Sequence, residues 1–292
     1  MSKKICLESP SIKDLLQETF LKAIHNIARY LDDVLQTKEA ESLHQFRVNI
    51  RLARSLCKEF SMFMEKNHKK ALSDRLEGLQ QETNDMRDLD VFIECIQTYK
   101  TKVDKACESE FKRIEKALLR EKKAAYVQFC KQYSVHQENV TAIEALLKDE
   151  QLYLSQAEGK WFVPAQKILE KRFKKIAKLS QKIALDSANE QFHTLRLHYK
   201  KLRYTCDALQ LTAFAKSFKP IQTAFGHVQD KNMQIAYIQQ HHANKSVFLE
   251  QIIALLEEEL LEDKRQCIKK SNKRSIEKLH KKLHAIITCK KR

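Results

Sequence analysis

Two sets of basic residues with the same spacing are the part of this sequence best suited to chemistry. In each set a histidine is followed by cations three, seven and ten residues later; the sets are His44, Arg47, Arg51 and Arg54, and His193, Arg196, Lys200 and Arg203. At about 100° per residue on an α-helix, these offsets fall within an arc of roughly 80°. Each set therefore predicts a cationic stripe on one helix face, about 15 Å long, that can bind several successive groups of a polyanion.

Arginine is the commonest residue in both stripes, and its side chain suits the binding of phosphate. The planar guanidinium can donate to two phosphate oxygens at once and does not need a favourable pKa. Packing such cations together costs free energy when the surface is empty, because like charges repel and burial removes water. This cost favours a binding role over that of an ordinary solvated helix face.

The apolar residues beside the two stripes repeat in the same phase. The equivalent pairs are Leu43 and Phe192, Phe46 and Leu195, Ile50 and Tyr199, Ala53 and Leu202, Cys57 and Cys206, and Phe60 and Leu209. Stripe and apolar face together predict two helices of one design, far apart in the chain.

Composition predicts the kind of fold that must position these helices. The 292 residues include three glycines and three prolines, far too few for the turns of a β-sandwich, a barrel or a Rossmann sheet. Good helix formers are abundant, so we expect an all-α fold. The formal charge of +16 indicates a polyanionic partner, which could be nucleic acid, an anionic membrane surface or a free phosphate polymer.

Other kinds of site have little support in the sequence. The eight cysteines form no Cys-x-x-Cys pair, and we expect them to be mostly buried free thiols. There is no phosphate-binding glycine loop, no Gly-x-Ser-x-Gly motif and no carboxylate cluster placed to hold Mg²⁺. We therefore expect no catalytic residues, no metal and no cofactor. The N-terminus lacks the apolar stretch of a signal peptide, and no window is apolar enough to span a membrane, so we expect a cytoplasmic protein without membrane insertion.

Helical periodicity divides the chain into two sets of four helices within a single domain of residues 1–292. The predicted helices cover residues 11–36, 40–64, 69–99 and 102–129, then, after a less defined segment at 138–157 and a break at 159–164, residues 165–185, 188–211, 219–240 and 247–287. The predicted halves are residues 11–150 and 160–290.

A second repeated element supports an internal duplication. Arg87 and Asp88 align with Gln229 and Asp230, which places Asn84 opposite Gly226. Because asparagine is the commonest substitute for glycine where φ is positive, we expect a break or kink at this position in the third helix of each half. For Asp88 and Asp230 we expect structural roles, such as orienting an arginine.

These motifs together resemble the CHAD family, named for histidines in an α-helical domain. The resemblance rests on residues 44–54, on His193 to Arg196 leading to residues 200–204, and on the Asp88 and Asp230 elements, in the right order. It implies two four-helix bundles related by pseudo-two-fold symmetry, with basic helix faces along a central groove or pore. Members of this family bind inorganic polyphosphate, some associate with polyphosphate granules, and some are fused to a triphosphate-hydrolysing domain.

The resemblance implies polyphosphate-binding roles for ten residues, with Arg87 as an addition to the stripes. They are His44, Arg47, Arg51, Arg54, Arg87, His193, Arg196, Lys200, Lys201 and Arg203. Leu52 stands where the family often has a second consecutive arginine, and Gln229 stands opposite Arg87, so we expect an asymmetric phosphate path. Whether the two histidines contact ligand or are structural stays open.

The function that these observations favour is non-enzymatic binding of inorganic polyphosphate, granule-associated or regulatory. One alternative is a nucleic-acid-binding module, although the stripes lack interleaved aromatic residues for base stacking. The other is a polyphosphate-processing phosphotransferase or hydrolase with His44 or His193 as phosphoacceptor. The sequence indicates no oligomeric state and no preferred chain length.

Overall fold

The computed structural model describes residues 11–159, 162–241 and 246–290, and within these ranges the protein is all-α, as predicted. Twelve α-helices form there, with no β-strand. They are α1 (Ile12–Thr37), α2 (Ala40–Glu59), α3 (Lys66–Gln81), α4 (Asn84–Tyr99), α5 (Glu108–Lys131), α6 (Tyr133–Lys148), α7 (Phe162–Ser180), α8 (Asn189–Ala208), α9 (Thr212–Lys216), α10 (Lys219–His241), α11 (Val247–Lys270) and α12 (Lys273–Lys290).

The same order of packed helix pairs occurs in both parts of the chain. In the first part α1 packs on α2, α2 on α3, α4 on α5, and α6 returns to α1. In the second part α7 packs on α8, α8 on α9 and α10, α10 on α11, and α12 returns to α7. The described ranges contain twelve α-helices instead of the eight that periodicity predicts, and the internal duplication into two four-helix bundles stays a prediction.

The apolar faces of α2 and α8 fix the orientation of the two basic stripes. All twelve apolar residues predicted to lie beside the stripes, from Leu43 to Leu209, expose at most 2% of their surface. They belong to one hydrophobic core that includes residues from both parts of the chain. With these faces buried, the opposite face of each helix carries its cations toward the surface.

Several predicted helices end earlier than their periodicity indicates. The predicted helix at 40–64 ends at Glu59 and is followed by a 3₁₀ helix, Ser61–Phe63. The stretch 69–99 is divided between α3 and α4, and 247–287 is divided at Ser271. The less defined segment at 138–157 contains most of α6, which begins already at Tyr133.

The prediction of a positive φ in the third helix of each half is wrong. Among the described residues only Lys38 and Gln210 have positive φ, at 56° and 55°. Asn84 begins α4 after a real break, whereas α10 continues through Gly226 without one. A Cβ atom added at Gly226 would meet nothing within 4 Å, so that position has no steric need for glycine.

The described helices show two further features that bear on function. None of them is long and apolar enough to cross a membrane. The cysteines at positions 57, 95, 107, 206 and 267 are buried free thiols, while Cys130 is partly exposed.

Candidate functional site

The stripes of α2 and α8 meet at an open groove with a volume of about 650 Å³. Arg51 and Arg54 line it from α2, and Lys200 and Lys201 line it from α8. Residues of α3 form a further wall. Two helices that lie far apart in the sequence therefore place their predicted cations around one cavity.

Among the cations that line this groove, Lys200 has the most strongly shifted pKa. Burial and, to a smaller extent, the nearby charges of Arg51, Arg196 and Arg203 together lower its pKa to about 7, against the opposing effect of Asp230. An ammonium group surrounded by arginines from both stripes is costly to keep charged when no anion is present.

Arg51 faces Lys200 from the other helix and is affected in the same way. Burial lowers the pKa of its guanidinium, and Arg196 and Arg87 act in the same direction. The one hydrogen bond found for Arg51 in the described part of the chain runs from Nε to the Arg47 carbonyl oxygen of its own helix, at 3.3 Å. Its terminal nitrogens are thus available for a ligand.

Asp88 and Asp230 supply part of the charge that offsets these cations. The carboxylate of Asp88 raises the pKa of Arg47, and that of Asp230 raises the pKa values of Arg51 and Lys200. Both effects are smaller than that of burial. The structural role expected for these aspartates stays a prediction.

The two stripe histidines lie beside the two positions aligned in the second repeated element. Burial lowers the pKa of His44, and the neighbouring charge of Arg87 lowers it further. The Nδ1 atom of His193 shares a hydrogen bond with Oε1 of Gln229, at 2.5 Å. Each of the two aligned positions, Arg87 and Gln229, therefore lies near one stripe histidine, but only Gln229 is hydrogen-bonded to it in the described ranges.

Arg47 forms hydrogen bonds to other groups of the protein, which its position in the stripe did not predict. It is 9% exposed, and its Nη1 donates to the Gln80 carbonyl oxygen at 2.9 Å and to Thr83 Oγ1 at 2.6 Å. Its Nη2 donates to Asn84 Oδ1 at 3.0 Å. These bonds hold the break between α3 and α4, and burial lowers the pKa of Arg47 to about 10.

Arg54 and Arg203, at the last position of each stripe, have carboxylate neighbours. Arg54 donates to Gln80 Oε1 at 2.8 Å and lies 3.1 Å from Glu77 Oε1. Arg203 lies 3.9 Å from Asp207 Oδ2, with its guanidinium 5.1 Å from the ring centroid of Tyr204. Of the ten predicted residues, Arg51, Arg54, Lys200 and Lys201 line the groove. Arg87, Arg196 and Arg203 do not line it, but they lie close enough to Arg51 or Lys200 for their charges to lower the pKa values there, and Arg51 and Lys200 act in the same way on His44.

The junction of α2, α7 and α8 beside the groove is held by a buried ion pair. Arg172 of α7 donates to Glu59 of α2 and lies 3.0 Å from Nδ1 of His198 on α8. Burial lowers the pKa of His198 to about 4, and the charge of Arg172 acts in the same direction. Lys201 lies at the same junction, where burial and Lys58 lower its pKa.

The site prediction missed nine of the residues that line the groove, among them the serines and lysines Ser55, Lys58, Ser61, Lys69 and Ser73. For Lys58 a signal was available, since it lies fourteen residues after His44 and its angle, about 320°, falls within the stripe. Ser61, Lys69 and Ser73 belong to the segment after α2, so the pattern of α2 could not identify them. In the described ranges, no group of three or more histidine, cysteine or acidic side chains could hold a metal ion.

Comparisons with known proteins agree with this architecture. The family model of the CHAD domain matches residues 18–239. The crystal structure of the CHAD domain from the plant Ricinus communis has a TM-score of 0.70 and 18% identity, covering 89% of this chain and 92% of that one. PptA from Streptomyces chartreusis has a TM-score of 0.69 and 12% identity, covering 90% of this chain and 99% of that one. No curated protein matches the sequence significantly. At these identities the two structures show a shared fold.

Proposed function

This chain belongs to the CHAD domain family, and we propose that it binds inorganic polyphosphate, without catalysis, in the groove between α2 and α8. The observation that carries this proposal is the meeting of Arg51 and Lys200 among further cations of both stripes. The resemblance of the stripe motifs to those of the family supports the same ligand. By the same reasoning we propose a cytoplasmic location, with polyphosphate granules as a site of action.

The chemistry of the ligand explains why such a groove suits it. Polyphosphate carries roughly one negative charge per phosphate and offers no base, ring or apolar patch to recognise. Affinity must therefore come from charge and from hydrogen-bond donors. The groove concentrates both, and a bound polyanion would relieve the repulsion that lowers the pKa of Lys200.

The lining of the groove favours polyphosphate over nucleic acid. Proteins that bind single-stranded nucleic acid present exposed aromatic side chains on which bases stack. Tyr204 is the aromatic residue that lines this groove within the described ranges, and it is only 5% exposed. A base would find little aromatic surface here, whereas a bare phosphate chain needs none.

Calorimetry can decide between these ligand classes. We expect long-chain polyphosphate to bind and to displace RNA at equal phosphate concentration, and ATP and pyrophosphate to bind more weakly. The logarithm of the affinity should fall linearly with the logarithm of salt concentration, because binding releases counterions. Tighter binding of RNA than of polyphosphate would overturn the proposal in favour of the nucleic-acid alternative.

The enzymatic alternative requires a separate measurement. The chain length of polyphosphate after prolonged incubation with the protein should be unchanged, and His44 and His193 should carry no phosphoryl group. Shortened polymer or a phosphohistidine signal would replace the binding proposal with a processing activity.

A further inference from the structure

The groove extends beyond the two stripes along one side of the molecule. Past Arg51 and Arg54 its walls include Lys58 at the end of α2, Ser61 in the 3₁₀ helix, and Lys69 and Ser73 on α3. This extension, here called the α3 branch, comprises Ser55, Lys58, Ser61, Lys69 and Ser73. Apart from the stripe of α8, the described lining residues all come from this α2–α3 side of the groove.

The two lysines of the α3 branch carry charge that the described residues do not neutralise. Lys58 lowers the pKa of Lys201, so the two ammonium groups approach each other across the α2–α8 junction. Burial raises the pKa of the Cys57 thiol to about 12, and Lys69 opposes that rise from nearby. Neither Lys58 nor Lys69 takes part in any of the ion pairs found in the described ranges.

Ser55 adds a hydrogen-bond donor with no protein acceptor. Its hydroxyl oxygen is buried and has no hydrogen-bond partner among the described residues, although the residue lines the groove. A buried polar group is normally satisfied, so this hydroxyl is an unused hydrogen-bond donor beside the groove. Ser61 and Ser73 bring two more hydroxyl groups to the same extension.

The other half of the molecule does not repeat this arrangement. Counting fourteen residues from each stripe histidine gives Lys58 on α2 and Asp207 on α8. The Asp207 carboxylate lies 3.9 Å from Arg203 Nε, so it offsets the last cation of its own stripe. The α2 stripe thus continues with a cation where the α8 stripe ends with an anion.

From these observations we propose that the α3 branch is a second phosphate-binding segment, which takes the continuation of a polyphosphate chain that leaves the central groove. This inference rests on the proposed function and adds to it the side of the groove on which a long polyphosphate chain leaves. Long chains exit over α3 of the N-terminal half, where lysines and serine hydroxyls contact successive phosphates. A chain too short to reach beyond Arg51 and Lys200 does not use this segment.

The test compares two variants that lose the same charge. Lys58→Gln with Lys69→Gln removes the cations of the branch, whereas Lys116→Gln with Lys123→Gln removes two exposed lysines of α5, which does not line the groove. We expect the branch variant to bind long-chain polyphosphate about tenfold more weakly than the α5 variant. Its plot of log affinity against log salt should be shallower than that of the wild type by about 1.4, for two contacts at ~0.7 each on a single-stranded polyanion. Tripolyphosphate should bind both variants equally.

The outcomes separate this inference from the proposed function. If the wild-type protein binds long-chain polyphosphate and the branch variant matches the α5 variant, the α3 branch is not a binding segment. If the branch variant loses tripolyphosphate as strongly as the long chain, the two lysines act at the centre and the proposed direction is wrong. If the wild type binds no polyphosphate, the proposed function itself fails. If the double variant does not fold, the same comparison can be made with Lys58→Gln alone, because Lys58 is exposed.

Discussion

Lys200 is the residue at which stability and binding oppose each other most directly. Its ordinary pKa of 10.5 is lowered to about 7 by burial and by neighbouring arginines. Between these two values the folded protein binds fewer protons at this position than the unfolded chain does. The free energy of unfolding therefore rises with pH through this window, and the cost of Lys200 is greatest below about pH 7.

Replacing Lys200 with methionine should stabilise the empty protein. At pH 7 we expect Lys200→Met to raise the free energy of unfolding by about 1–3 kcal/mol, since a shift of one pKa unit corresponds to about 1.4 kcal/mol and partial exposure reduces the effect. The gain should shrink as the pH approaches 10.5, where the lysine loses its charge in either state. Denaturant unfolding at several pH values measures this, with Lys116→Met as the control. A gain that does not change with pH would contradict the account.

Polyphosphate binding should take up protons at Lys200 and His44. Both groups have lowered pKa values in the empty groove, and a bound polyanion raises them because it favours the charged forms. Affinity should therefore increase as the pH falls from about 8 to about 6. Calorimetry in buffers of different ionisation enthalpy detects the uptake, which Lys200→Met should reduce. Equal heats in all buffers would show that binding is not linked to protons.

At the residue scale, the sequence predicted which cations share a helix face, but not which of them are hydrogen-bonded to another helix. Arg47 and Arg51 belong to the same stripe, yet Arg47 is hydrogen-bonded to the α3–α4 junction and the terminal nitrogens of Arg51 are not. Their roles differ because the acceptors belong to another helix, whose position the local sequence does not encode.

At the scale of helices, the break between α3 and α4 depends on a side chain from α2. Thr83 is fully buried; its hydroxyl donates to the Gln80 carbonyl oxygen at 2.8 Å and accepts from Arg47 Nη1. Residues 81–83 contain neither proline nor glycine, so periodicity alone predicted one continuous helix. The helix positions themselves were predictable from periodicity because each has a well-defined apolar face. The repeated element did predict a break at Asn84, but not its cause, because tertiary hydrogen bonds and not a positive φ stabilise it.

The two arginines should therefore respond differently to the same substitution. Arg47→Gln leaves the acceptors at Gln80, Thr83 and Asn84 without their donor, and we expect it to lower the free energy of unfolding by about 1–3 kcal/mol. Arg51→Gln removes a crowded charge and should leave stability unchanged or raised. Combining Arg47→Gln with Thr83→Val in a double-mutant cycle should give a coupling energy of at least about 0.5 kcal/mol. Equal stability losses for the two arginine variants would refute these assignments.

At the scale of the whole molecule, a single core fixes two repelling basic surfaces against each other. The net charge of +16 is spread over the chain, but the proposed binding depends on the small set of cations that the packing of α2 and α8 brings together. Sequence spacing predicted both stripes. It could not predict their approach, the participation of α3 or the asymmetry between Lys58 and Asp207, because these depend on how separate helices pack.

The most direct test of the account is to locate polyphosphate binding in this groove. Arg51→Gln with Lys200→Gln removes one central cation from each stripe, and Lys116→Gln with Lys123→Gln removes the same charge from α5. In calorimetric titrations with long-chain polyphosphate, the groove variant should bind at least about a hundredfold more weakly than the wild type, as expected for two lost charge-assisted contacts. The affinity of the α5 variant should stay within a few fold of the wild type. An equal loss in the two variants would show that net charge, and not the groove between α2 and α8, determines binding.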